Sequence, residues 1–148
     1  MSVDGRRLRP DRPIVGIGAV VLEGGRVVLV KRAHPPLQGE WSLPGGAIEL
    51  GETSTEAVRR EVLEETGLIV DVGPVVEVVE RMQRDDAGAV EYHFVIVDYK
   101  CRRLEGTLAP GSDAADARWV APADLAALRV TDTAIAVVQK ALAIGWPY

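Results

Sequence analysis

The chain has 148 residues, 47% of them apolar and 26% charged, a globular balance long enough to bury one self-sufficient core. Seventeen Lys and Arg against 22 Asp and Glu leave a net charge of −5, which excludes the basic footprint of a general nucleic-acid binder. The single Cys101 closes no internal disulfide, no apolar run reaches the roughly 18 residues of a membrane span, and Met1 to Pro13 lacks the apolar core of a signal peptide, so a cytoplasmic domain with no membrane partner is expected.

Residues 1–12 mix Arg6, Arg7, Arg9 and Arg12 with Gly5, Pro10 and Asp11 and read as a loose arm. Residues 13–148 read as one domain, with no repeat or linker to divide them. Ile14 to Leu22 is apolar and β-branched and reads as a strand. Glu23-Gly24-Gly25-Arg26 is a turn and Val27 to Val30 a second strand, a hairpin pattern. Gly16-x-Gly18 is no dinucleotide fingerprint, because Val21 fills the third glycine position and a turn follows where a helix is needed. Glycine inside a strand marks instead a close backbone approach or a bulge. Ala33 to Gly39 is a loop, and Trp41 to Leu43 a short extended piece that runs into Pro44-Gly45-Gly46, read as a glycine loop.

Thr53-Ser54-Thr55-Glu56 has capping-box spacing and Gly67 is a helix terminator, so about three turns of helix lie between them. Pro74 to Arg81 and Val90 to Arg102 read as strands, separated by the turn Arg84-Asp85-Asp86-Ala87-Gly88. Ala117 to Val120 reads as a short strand and Pro122 to Leu128 as a short helix. Ala134, Ile135, Val137, Val138, Ala141 and Leu142 keep the spacing of a closing amphipathic helix.

The informative stretch runs from Gly46 to Leu68. On the helix, Glu61, Glu64 and Glu65 fall at i, i+3 and i+4 and share one face, where like charges repel. Three things could offset that repulsion: full solvation, neutralisation by Arg59 and Arg60, or a hard divalent cation, which takes clustered oxygen ligands. Glu61 and Glu65 flank the apolar Val58 and Val62 and so border the buried face. Glu52 and the glycines Gly45 and Gly46, whose carbonyls can approach a ligand closely, lead straight into the helix.

This segment resembles the Nudix signature: Gly, five residues, Glu, seven residues, Arg-Glu, an aliphatic, any residue, Glu-Glu, any residue, Gly and an aliphatic. Gly46, Glu52, Arg60, Glu61, Val62, Glu64, Glu65, Gly67 and Leu68 fill every fixed position across 23 of the 148 residues. The resemblance implies an α/β fold, the Nudix-type α/β/α sandwich around a central mixed β-sheet. It implies a hydrolase of nucleoside diphosphates linked to another moiety, working with Mg²⁺ or Mn²⁺. Carried over, Glu61, Glu64 and Glu65 would ligate metal, with Glu52 assisting and a carbonyl of Gly45 or Gly46 contributing. One of Glu61, Glu64 and Glu65, or a carboxylate outside the motif, would take the proton, with Glu61 and Glu64 the candidates carried forward, and Arg60 would orient a carboxylate. Some family members use an acid in a later loop, where Asp113 and Asp116 stand, although Gly-Ser-Asp is also ordinary turn sequence.

The stretch from Pro36 to Thr53 is similar to small ADP-ribose pyrophosphatases, which makes ADP-ribose the expected substrate. Gln83 and Arg84 occupy the place where some of those enzymes carry a proline. Hydrolases of oxidised nucleoside triphosphates or dinucleoside polyphosphates are the alternatives within the family, and a nucleotide-sugar-binding sensor is the alternative that is not an enzyme. A degenerate sensor is expected to lose Glu64, Glu65 or Arg60, and this chain keeps all three. Substrate contacts are expected at Arg32 and Arg81, at the face of Tyr92 and at Asp113. Phe94, Trp41 and Cys101 are read as packing, and His34 and His93 have no role. Homodimerisation is a further expectation from the likeness.

Overall fold

The computed structural model describes residues 8–34 and 37–147. Seven strands form one sheet around the long strand β1, Ile14–Glu23. Its hairpin partner is β2, Arg26–Arg32, followed by β3, Trp41–Ser42, and β4, Gly45–Ala47. Helix α1 spans Ser54–Thr66, and the two longest strands follow as β5, Ile69–Arg84, and β6, Val90–Glu105. Strand β7, Ala114–Val120, a 3-10 turn at Pro122–Ala127 and helix α2, Asp132–Ala143, close the chain. The sheet order is β3-β2-β1-β6-β5, with β4 added to β1 and β7 to β2. β1 runs parallel to β6, from Ile14 opposite Phe94 to Val21 opposite Cys101, and the other pairings are antiparallel. The sheet is therefore mixed, as expected.

β1 is apolar without alternation because it is buried on both faces. Its odd positions Ile17, Ala19 and Val21 pack with Ala57, Val58 and Val62 of α1. Val20, with Val27 and Leu29 of β2, packs on the other face against Val137, Val138 and Ala141 of α2. The two helices thus cover opposite faces of one sheet. Phe94, Trp41 and Cys101 are buried, as read from the sequence. No helix among the described residues is long and apolar enough to cross a membrane.

Three elements differ from the sequence reading. Gly45–Ala47, expected as loop, is a strand, with Gly45 opposite Gly18 and Gly46 opposite Ile17. A Cβ on Gly45 would overlap the Ile17 carbonyl oxygen, so glycine here permits close approach of two backbones rather than a loop. β5 starts at Ile69 and carries Pro74 inside it. The proline is tolerated because β5 is an edge strand and its register shifts between Val72 and Val75. β7 begins at Ala114, so Asp116 lies in a strand and not in a loop. Part of the expected N-terminal arm, residues 1–7, lies outside the described residues, as do Pro35 and Pro36. Arg9 donates from its backbone to the Glu91 carbonyl and from its guanidinium to Asp85.

Candidate active site

Helix α1 is fixed at both ends by the residues read as its punctuation. Thr53 Oγ1 accepts from the Glu56 amide and the Glu56 carboxylate accepts from the Thr53 amide, a reciprocal cap. Gly67 closes the helix at φ 73°, its amide bonded to the Leu63 carbonyl. With Val58 and Val62 locked into the core, the helical period sets Arg60, Glu61 and Glu65 along the border facing β4.

Arg60 binds this border together. Its Nε and Nη2 donate to the two oxygens of Glu52 at 2.7 and 2.9 Å, a two-pronged grip. Nη1 donates to Glu61 Oε1 at 2.9 Å and reaches Glu64 Oε2 at 3.4 Å, and Nη2 also donates to the Ala47 carbonyl at 3.1 Å. Of the three outcomes left open by the sequence, neutralisation by Arg60 is therefore realised for Glu52 and Glu61. The Glu52 side chain is 15% exposed and that of Glu61 14%. The Arg60 hydrogen bonds hold the Glu52 carboxyl at about 2, well below its ordinary 4.5, and Glu52 with Glu61 raises the guanidinium in return.

Arg60 does not satisfy the whole cluster. Glu65 hydrogen-bonds Glu61 side chain to side chain, and burial pushes both carboxyls up, Glu65 to about 8. Two part-buried carboxylates in contact repel when both are ionised, which favours a shared proton or a further cation beyond Arg60. Glu65 Oε2 also accepts from the Gly45 amide at 3.3 Å, which ties the pair to the β1–β4 glycine ladder. A Cβ on Gly46 would overlap the Glu61 carboxylate. Glu64 differs: its side chain is 58% exposed. Among the described residues, no three His, Cys, Asp or Glu side chains are set to ligate one ion together. The donor chemistry nevertheless fits a hard divalent ion. The ligands on offer are carboxylate oxygens, the Glu61–Glu65 pair is part-buried with Arg60 bonded to Glu61 alone of the two, and backbone without side chains lies against it.

Beyond the glycine ladder lies a cleft on the α2 face. Arg32, Arg81 and Glu40 supply its charge, and Trp41, Leu43, Val79, Ile96 and Val137 its apolar wall. The structure thus brings together Arg32 of β2 and Arg81 of β5, two expected substrate contacts far apart in sequence. The other two are not in its lining. Tyr92 packs its ring 5.9 Å from Phe94 and donates its hydroxyl to Gln83 of the neighbouring strand. Asp113 is exposed in the turn before β7. Asp116 accepts from Arg118 at 2.8 Å.

Sequence reasoning missed Asp98. It is buried in β6, 5% exposed, and lines the cleft beside Gly18. Two signals pointed to it: a lone acid inside the apolar run Val95 to Tyr99, and the unexplained second glycine of Gly16-x-Gly18 in the strand that proves to be its neighbour.

Fold and site together define a class: an α/β/α sandwich that holds an arginine-clamped acidic helix against a glycine ladder, beside a cleft with two arginines. Residues 12–140 match the NUDIX domain family, and the chain belongs to that family. An ADP-ribose pyrophosphatase of Methanocaldococcus jannaschii is 37% identical over 107 residues, covering 72% of this chain and 61% of that protein. A putative 8-oxo-dGTP diphosphatase of Bacillus subtilis is 34% identical over 106 residues, covering 72% of this chain and 64% of that one. The aligned part is thus less than two thirds of either relative's length. Among solved structures, a MutT NUDIX hydrolase from Burkholderia pseudomallei superposes with a TM-score of 0.76 at 29% identity, over 88% of this chain and 98% of that one.

Proposed function

We propose that the protein is a metal-dependent pyrophosphohydrolase. It cleaves the diphosphate of a nucleoside diphosphate linked to another moiety, with ADP-ribose as substrate, giving a nucleoside monophosphate and a phosphorylated moiety. The observation that carries this reading is the part-buried Glu61–Glu65 pair, linked through the Gly45 amide and the Gly45–Gly18 pairing to the rim of a cleft that holds Arg32 and Arg81. The M. jannaschii relative's name supports ADP-ribose, and the B. subtilis relative's name supports an oxidised nucleoside triphosphate as the second reading.

Glu61, Glu64 and Glu65, with Gly45 or Gly46 carbonyls, would hold Mg²⁺ or Mn²⁺. Bound there, the metal offsets the acidic surface, polarises the phosphate oxygens and acidifies water. Glu64 would accept a proton from the attacking water, a role supported by its being the most exposed of the four carboxylates and gripped only at 3.4 Å. That water adds to phosphorus as the bridging P–O bond breaks. Arg60 is a positioning residue: it holds Glu52 and Glu61 and so sets the border of the site. Arg32 and Arg81 meet the phosphates from the cleft side.

The test is a substrate panel of ADP-ribose, 8-oxo-dGTP, dGTP and a dinucleoside polyphosphate, assayed with Mg²⁺, with Mn²⁺ and with chelator. AMP release from ADP-ribose that stops with chelator is expected, with losses of several orders of magnitude in Glu61→Gln and Glu64→Gln. Chelator-resistant hydrolysis overturns the mechanism. Ligand binding without turnover of any compound overturns the enzyme in favour of a binding module.

A further inference from the structure

The cleft contains a buried acid that the proposed chemistry does not use. Asp98 stands on β6 across from Gly18 of β1 in the parallel ladder, and a Cβ on Gly18 would overlap its Oδ1. The carboxylate therefore lies over the backbone of Gly18, in space that any other residue would fill. Gly18 also pairs with Gly45, whose amide meets Glu65. One glycine ladder thus carries the acidic pair at one residue and Asp98 at the next strand. The wall around Asp98 is apolar, with Ile96 and Trp41 in it, while Arg32 and Arg81 give the same cleft its positive charge. A flat base suits the apolar wall and a phosphate suits the arginines.

We propose that Asp98 determines base specificity, accepting a hydrogen bond from an N–H donor on the edge of a nucleobase seated in this cleft. Gly18 keeps the carboxylate where it can do so. The inference rests on the reading of the cleft as a nucleotide site. Burial raises the Asp98 carboxyl to about 6, the charge of Glu77 adding to the effect, so at neutral pH the group is mainly ionised and an acceptor only. A buried acceptor left facing a base without a donor loses its solvation with no return, and such sites discriminate strongly.

The experiment is calorimetric binding of AMP, GMP and purine riboside 5′-monophosphate, which keeps ring and phosphate but has no N–H on its edge. In the wild type, AMP or GMP is expected to bind at least about 10-fold more tightly than the purine riboside compound. Asp98→Ala is expected to shrink that preference below about 3-fold, and so is Gly18→Ala, which displaces the carboxylate without removing it. Equal binding of all three by the wild type overturns the inference, as does no binding of any, or a preference that survives both variants. The substrate panel run alongside separates the two readings: turnover with no base discrimination sinks the role of Asp98 alone, whereas no turnover sinks the enzyme.

Discussion

Arg60→Ala tests the construction of the site most directly. The substitution removes two hydrogen bonds to Glu52, one to Glu61 and one to the Ala47 carbonyl, and leaves two carboxylates about 15% exposed without their cation. Removing one partner of a fully buried pair costs about 3–5 kcal/mol, and a surface pair is worth about 0–1 kcal/mol. Groups of this intermediate burial place the cost at about 2–3 kcal/mol.

A double-mutant cycle with Glu52→Gln, followed by urea denaturation in chelator, isolates the pair. Coupling of at least about 1 kcal/mol is expected at pH 7. The sign with pH follows from the Glu52 carboxyl, held at about 2 against an ordinary 4.5. A depressed pKa contributes stability that is present above 4.5 and lost as the pH falls toward 2. The coupling should therefore shrink across that acid window. Coupling below about 0.5 kcal/mol at pH 7, or coupling that does not change on acidification, would refute the clamp.

Glu65 behaves in the opposite sense. Its raised carboxyl contributes stability below 4.5 that is lost as the pH rises to about 8, so in chelator the melting temperature should fall between pH 5 and 8. Glu65→Gln should flatten that fall, and Mg²⁺ should restore the wild type at the alkaline end; the same fall in the variant contradicts the shared proton. At the cleft, Arg81→Ala should raise KM about 10-fold with kcat nearly unchanged, while Tyr92→Phe should leave KM within about 2-fold, since its hydroxyl is engaged with Gln83. Steady-state kinetics on the best substrate of the panel decides both, and a large KM effect from Tyr92→Phe would return that residue to the substrate site.

The sequence by itself determined what depends on local rules. Thr53, Glu56 and Gly67 punctuate α1 by their own hydrogen bonds and backbone preference, and the 3.6-residue period then puts Glu61 and Glu65 at the edge of the buried stripe with no knowledge of the fold. The β1–β2 hairpin and the amphipathic α2 were legible for the same reason. Only the tertiary structure decided contacts between residues far apart in the chain. Gly45–Ala47 is a strand because Gly16–Gly18 lies opposite, and isolated glycines look like a loop. Arg32 and Arg81 share a cleft because β2 and β5 both border the α2 face, whereas Tyr92, one strand away, spends its hydroxyl on a neighbour. Asp98 is the clearest case: a lone acid in an apolar strand acquires meaning only when burial, the cleft and the bare backbone of Gly18 come together around it. Local periodicity carries no information about which strand becomes a neighbour, and that neighbour decides whether a charge faces water, a partner or a ligand.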